Sequence, residues 1–172
     1  TRNVSHNGNF EQITSNQPSN WEVESGVVGN HVLAAGAGRR FGGRKLLAPF
    51  GGGPLIEGAL GAAFASPAST IILVTGSEAD DVAAAARAWA ERQGEGGRLQ
   101  IIHAADHAEG MGASLRTGAE ALPADTAGTF VLLGDMPRIP AAILPRLVEA
   151  VEAGAAAAAP ILGGLFADFF AA

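Results

Sequence analysis

From His31 onward the chain alternates short apolar runs with longer, alanine-rich amphipathic ones. Four of the short runs read as strands: Val32-Leu33-Ala34-Ala35, Thr70 to Thr75, Leu99 to His103, and Thr129 to Leu133. Their β-branched and leucine content suits a sheet buried on both faces. Asn30 and His31 confine the first of them to four residues. The intervening segments predict helices over Pro54 to Ala65, Glu78 to Gln93, Gly112 to Ala121 and Ala141 to Glu152. The first has proline in its opening turn and Ser66-Pro67 as its stop, and the second has an acidic start. The last leads into the apolar run Ala155 to Ile161. Strands alternating with helices predict an α/β domain, with a mostly parallel sheet and helices on both faces.

Residues 1–30 have a different pattern. Every asparagine in the chain falls at or before Asn30, and Ala, Gly, Leu and Arg dominate afterwards. Polar residues at that density bury little surface, so the expectation is a polar, disordered or loosely attached tail over 1–30 and one domain over 31–172. Composition agrees with a single packed unit: 172 residues, 48% hydrophobic and 16% charged. A net charge of −6 argues against nucleic acid or an anionic membrane as partner. The chain has no cysteine, no bilayer-length apolar run and no signal-peptide layout, from which a cytoplasmic location is expected.

The four strands run into Gly36 to Lys45, Thr75-Gly76-Ser77, His103 to Gly112, and Gly134 to Pro137. In an open parallel sheet ligands sit beyond the carboxyl ends of the strands, so the candidate chemistry gathers on one edge. The first loop carries Arg39, Arg40, Arg44 and Lys45 among glycines, and Lys45 is the only lysine in the chain. Glycines admit backbone N–H groups to an anion, and guanidinium and ammonium groups complete a phosphate cradle. It is neither a dinucleotide fingerprint, whose third glycine would replace Phe41, nor a P-loop, because Arg44 separates Gly43 from Lys45 and Leu46 follows. Asp135, on a Gly-Asp-Met-Pro turn, places one carboxylate at the sheet rim, where it suits Mg²⁺ shared with substrate phosphates or a turn that caps its own backbone. Gly110 to Ser114 opens a helix whose first turn has free N–H donors, although Ser114 also suits an ordinary helix start. His103 and His107 flank Asp106 without a nearby cysteine, which disfavours a transition-metal site. Trp89, central in its helix, reads as packing.

The run from Leu33 to Lys45 resembles the signature of the nucleotidyltransferases of the molybdenum-cofactor family, written loosely L-A-A-G-x-G-x-R-x-G-x-x-K. Leu132-Leu133-Gly134-Asp135-Met136-Pro137 resembles that family's metal-binding motif, and Gly110 to Gly118 its G-M-x-x-S-L-x-x-G segment. The resemblance runs from about Val32 to Ile161 and implies a Rossmann-like three-layer sandwich. It assigns Lys45, Arg39, Arg40 and Asp135 to catalysis, with Asp135 on Mg²⁺. Nucleotide contacts are implied at Leu33, Ala34, Ala35, Gly36, Ala37, Gly38, Thr75, Gly76, Gly110 and Ser114. The Leu-Ala-Ala-Gly opening is more similar to the cytidylyl than to the guanylyl branch. It therefore implies transfer of CMP from CTP to molybdopterin cofactor, with release of pyrophosphate and a molybdoenzyme as candidate partner. A sugar-phosphate nucleotidylyltransferase or a non-catalytic cofactor-binding accessory protein are the alternatives. The family's later Gly-His-Pro and Gly-Asp-x-Gly-Ala-Arg segments have no counterpart before Ala172, so an incomplete carboxyl-terminal portion is expected.

Overall fold

The computed structural model describes residues 27–36, 38, 42–140 and 142–160. Residues 1–26 of the tail expected over 1–30, and Ala37, Arg39 and Arg40 of the first loop, lie outside the described residues.

Four parallel strands form the main sheet: β1 (Val27–Ala34), β4 (Thr70–Thr75), β5 (Leu99–His103) and β6 (Thr126–Leu133), in the spatial order β5-β4-β1-β6. Two-residue strands β2 (Pro49–Phe50) and β3 (Gly53–Pro54) make a separate hairpin. The helices are α1 (Ile56–Phe64), α2 (Ala79–Gln93), α3 (Met111–Glu120) and α4 (Ile143–Glu152). Alternating residues of the strands face opposite layers. Val32 and Ala34 of β1, with Ile71 and Leu73 of β4, meet Ile56 and Leu60 of α1, Val82 and Ala86 of α2, and Leu144 of α4. Leu33, Ile72 and Val74 face the other way, toward Leu115 of α3. The result is the three-layer α/β sandwich of a Rossmann-like fold, with the central strands β1 and β4 buried from both sides. Each fully buried leucine or isoleucine contributes about 1.5–3 kcal/mol. Trp89 packs its ring 5.1 Å from Phe64, joining α2 to α1.

β1 and the first helix differ from expectation. β1 begins at Val27, five residues early, so Val27 to Asn30 belong to the sheet and not to the polar stretch before it. The strand tolerates its two polar residues because neighbours engage them. Asn30 Nδ2 donates to Ser66 Oγ at 3.2 Å, and His31 Nδ1 lies 3.1 Å from Thr129 Oγ1. The helix expected from Pro54 begins at Ile56, because Pro54 pairs with Pro49 across a turn in which Gly51 and Gly52 both have positive φ. That turn suits a tight hairpin, where two glycines are the favoured residues. Ala155 to Pro160 continue past α4 without regular structure and mostly exposed, and Ile161 lies outside the described residues.

His31 is fully enclosed, and its second nitrogen faces Gly118 of α3 without completing a good hydrogen bond. Burial pushes its pKa below the ordinary 6.5, against a smaller opposing pull from the Gly118 backbone. The folded chain therefore keeps the ring neutral, while the unfolded chain takes up a proton as pH drops through 6.5. The stability this ring contributes is complete above that value and declines below it. Urea midpoints measured from about pH 7.5 down to about pH 5.5 are expected to fall in the parent protein and to fall less steeply in His31→Val. Equal slopes in the two proteins would show that His31 does not set this dependence.

Candidate active site

In the order β5-β4-β1-β6 the chain moves outward from β1 through β4 to β5 and then returns to add β6 on the opposite side of β1. The strand order thus reverses between β1 and β6, and in open parallel sheets the crevice beyond such a reversal is where ligands bind. The loops that leave these two strands carry Lys45 and Asp135. Lys45 Nζ donates to Asp135 Oδ2 at 2.7 Å, across 90 positions of sequence.

Each partner is held by its own local chemistry. Lys45 opens a 3-10 turn over Lys45–Leu47, whose next residue, Leu46, is buried in the main core. Gly38, at φ +56, runs so close to Lys45 that a β-carbon there would lie 3.2 Å from Lys45 Cβ, and its carbonyl accepts from Gly43 N–H at 3.2 Å. On the other side Gly134 N–H donates to Leu33 O at 2.9 Å, which continues the β1–β6 register one step past the strand. A side chain at Gly134 would meet Ile56 Cδ1 at 2.7 Å, so glycine is what lets the backbone turn here and deliver Asp135 to the rim. Both charged side chains remain more than one-third exposed. An ion pair that open contributes at most about 1 kcal/mol to stability.

Among the described residues only Arg44 and Glu78 are non-glycine residues at positive φ, at 51° and 59°. A left-handed conformation costs about 1–2 kcal/mol per residue. The two touch: Arg44 N–H donates to Glu78 Oε1 at 2.7 Å, and Arg44 Nη1 lies 3.0 Å from Asp81 Oδ2. Arg44, grouped with the phosphate cradle by its position in the loop, thus turns its guanidinium onto the first turn of α2. Nothing in the sequence around Arg44 signals this.

The remaining candidates divide by burial. Leu33 and Ala34 are buried in the sheet, Ala35 is buried just past its end, and Gly36 is exposed where the loop begins. Thr75 is buried and donates its hydroxyl to Ile102 O at 3.2 Å, so β4 presents the backbone of Gly76 at its end and not the threonine side chain. Gly76 is wedged between Ala35 and the ring of His107, where a β-carbon would lie 2.6 Å from His107 Cγ. His107, set aside as a metal ligand, is therefore a wall of this edge, with Nδ1 2.9 Å from Ala104 O. Gly110 is exposed at the start of α3, whereas Ser114 is buried within it. Arg138 stacks its guanidinium 5.2 Å from the centre of the Phe50 ring, placing a further cation just past Asp135.

The donor set at this edge bears on metal binding. Among the described residues no cluster of three or more His, Cys, Asp or Glu side chains converges as a metal cage. A single rim carboxylate fits a hard divalent ion that keeps several waters and shares phosphate oxygens with its substrate, as Mg²⁺ does. Among the described residues, no helix is long and apolar enough to cross a membrane.

Known proteins resemble this chain in sequence and in fold. The chain is 37% identical over 142 residues to the bifunctional protein GlmU of Kineococcus radiotolerans, a match covering 80% of this chain and 27% of that protein. It thus spans about a quarter of the length of such curated relatives. Among solved structures, Rv0371c of Mycobacterium tuberculosis superposes with a TM-score of 0.62 at 26% identity, covering 74% of this chain and 61% of that one. A second structure of that protein is a complex with manganese, with a TM-score of 0.55 at 25% identity, covering 74% of this chain and 60% of that one. A nucleotidyl transferase from Methanothermobacter thermautotroptrophicus matches with a TM-score of 0.55 at 25% identity, covering 72% and 57% of the two chains. The sequence profile of the MobA-like NTP transferase domain matches residues 31–167, most of the chain. The chain belongs to the MobA-like NTP transferase domain family.

Proposed function

We propose that this protein transfers a nucleotidyl group from a nucleoside triphosphate to the phosphate of a small acceptor, releasing pyrophosphate. The single observation that carries the reading is the Lys45–Asp135 pair, 2.7 Å apart at the reversal of strand order. A solvated ion pair is cheap to separate, so an arriving triphosphate can take the ammonium while the carboxylate is left for a cation.

The acceptor phosphate attacks the α-phosphorus in line, a new P–O bond forms, and the bond to the β-phosphate oxygen breaks with pyrophosphate leaving. A phosphate monoester has its second pKa near about 6, so the nucleophile is already mostly dianionic at neutral pH and needs no general base. The protein's task is to position the two phosphates and offset charge that develops between them. Lys45 Nζ pairs with a phosphate oxygen. Arg39 and Arg40, which lie outside the described residues, are assigned the same task by the loop signature. Asp135 would hold Mg²⁺, which when bound supplies charge neutralisation for the triphosphate. Gly36, Gly38 and Gly76 offer backbone to the nucleotide, with Gly110 at the start of α3. The buried side chains of Leu33, Ala34, Ala35, Thr75 and Ser114 act by setting the shape of that surface. No role is derived for Ala37, which lies outside the described residues.

For the substrates we infer CTP and molybdopterin cofactor, on the Leu-Ala-Ala-Gly opening of the first loop. A second reading keeps the chemistry and makes the acceptor a sugar phosphate. In its favour, the curated relatives are named GlmU and not as enzymes of the molybdenum cofactor. Pyrophosphate release measured with each of the four ribonucleoside triphosphates and Mg²⁺, against molybdopterin cofactor and against sugar 1-phosphates, separates the two. Turnover with CTP and molybdopterin cofactor supports the first, and turnover only with a sugar phosphate supports the second. Binding of molybdopterin cofactor without turnover of any pair would make the protein an accessory carrier.

In whichever pair turns over, Lys45→Ala and Asp135→Ala are each expected to lower kcat at least about a hundredfold. The same two substitutions should change unfolding free energy by no more than about 1 kcal/mol, measured by urea titration, because both side chains are partly solvated. A large loss of stability would recast the pair as structural.

A further inference from the structure

The residue just before Lys45 makes a contact outside its own loop, to the start of α2. Arg44, immediately before Lys45, is left-handed at φ 51°, a conformation uncommon for a residue other than glycine. What holds it there is the carboxylate of Glu78, which accepts the Arg44 N–H at 2.7 Å. Glu78 is itself left-handed, at φ 59°, so both ends of this hydrogen bond carry backbone strain that the contact must outweigh.

Glu78 is a firm post. It stands at the start of the 15-residue helix α2, with its carbonyl accepting from Val82 N–H at 3.0 Å, and Val82 is fully buried. Its neighbour Ser77 donates N–H to Ala35 O at 3.4 Å, which ties the same turn to the end of β1. Asp81, one helical turn on, takes the Arg44 guanidinium at 3.0 Å and so keeps that cation on α2. Of the cations in the loop whose positions are described, Lys45 alone is left facing Asp135.

We propose that Glu78 is a positioning residue for Lys45: by accepting the Arg44 N–H it locks residue 44 left-handed and thereby aims the Lys45 ammonium at Asp135. An acidic residue beside a helix start also favours the helix dipole, and that role alone would leave Lys45 where it is. The proposal rests on the nucleotidyl-transfer reading for its consequence in turnover, but not for its geometric content. Lys45 is the only lysine in the chain, so lysine-selective ¹⁵Nζ labelling gives one NMR signal that reports its ion pair without assignment by mutation.

The test uses the full chain with five changes: Glu78→Ala, Glu78→Gln, Glu78→Ala combined with Arg44→Gly, and Lys45→Ala and Asp135→Asn as references. In Glu78→Ala the Lys45 signal is expected to shift as it does in Asp135→Asn, and kcat to fall about tenfold with KM for the triphosphate changing much less. Glu78→Gln keeps an acceptor oxygen and should restore most of both. The double change should do so as well, because glycine is left-handed without help, a rescue that a dipole or stability role would not produce. An unmoved Lys45 signal and unchanged kcat in Glu78→Ala, with Lys45→Ala inactive, would overturn the proposal and leave the function standing. A shifted signal with Lys45→Ala fully active would instead overturn the nucleotidyl-transfer role of Lys45 and leave the positional link intact. Loss in Glu78→Ala without recovery in the double change would also overturn the proposal, by assigning Glu78 to α2 alone.

Discussion

Everything at the candidate site depends on β1 being paired on both sides. Its register with β4 runs from Gly29 opposite Thr70 to Ala34 opposite Thr75, and with β6 to Leu33 opposite Leu133. Because all three strands are parallel, their carboxyl ends fall at one edge, and the loops that follow β1 and β6 must emerge side by side. One step past the paired Leu33 and Leu133, the register sets Gly134 beside Ala34, and a single further hydrogen bond, Gly134 N–H to Leu33 O, fixes how the second loop departs. Lys45 and Asp135 meet across 90 positions because the sheet brings the ends of β1 and β6 together, and local turns then aim the two side chains.

The pairing also explains why this strand carries polar side chains at a cost. Asn30 and His31 sit where β1 is covered on both faces, yet one oxygen of Asn30 and one nitrogen of His31 have no hydrogen-bond partner. An unsatisfied buried polar group costs about 1–3 kcal/mol. The remaining bonds of these residues go to Ser66 on the α1 side and Thr129 on β6. Arg98 adds a second tie in the same region, reaching the carbonyls of Phe64 and Ala68 from the start of β5. The amino-terminal half of β1 is thus held by polar contacts where a more ordinary sheet would use apolar ones, and its carboxyl-terminal half by Val32, Leu33 and Ala34 in the core.

The parts of this protein that were legible in the sequence are those specified locally. Six consecutive apolar or β-branched residues at Thr70 to Thr75 form a strand whatever surrounds them, and the carboxylate at Asp135 follows a strand too apolar to be anything else. The start of β1 was not legible, because Asn30 and His31 are buried only by virtue of partners 36 and 98 positions away. The hairpin at Pro49 to Pro54 escaped because proline before a helix usually opens it, and here proline closes a two-residue strand instead. Among the site residues, a loop rich in arginine suggested that each cation faces phosphate. Spacing cannot say which of them a distant helix will claim, and α2 claims Arg44.

That diversion of Arg44 has a physical logic. An ammonium and several guanidiniums crowded on one glycine loop repel one another and, if all were free, would leave a ligand several equivalent ways to bind. Placing one guanidinium on Asp81, where both partners are more than half exposed, contributes little to stability. Its effect is on direction, since the same residue's backbone is clamped by Glu78 and its successor is Lys45. The strain at residues 44 and 78 is concentrated next to the Lys45–Asp135 pair, at a place where a fold can tolerate it only because neighbouring contacts over-determine the geometry. A glycine at position 44 would remove that strain and would also remove the guanidinium that α2 holds. The arginine therefore serves two purposes at once, keeping its own charge away from the crevice and holding the lysine that follows it within reach of Asp135.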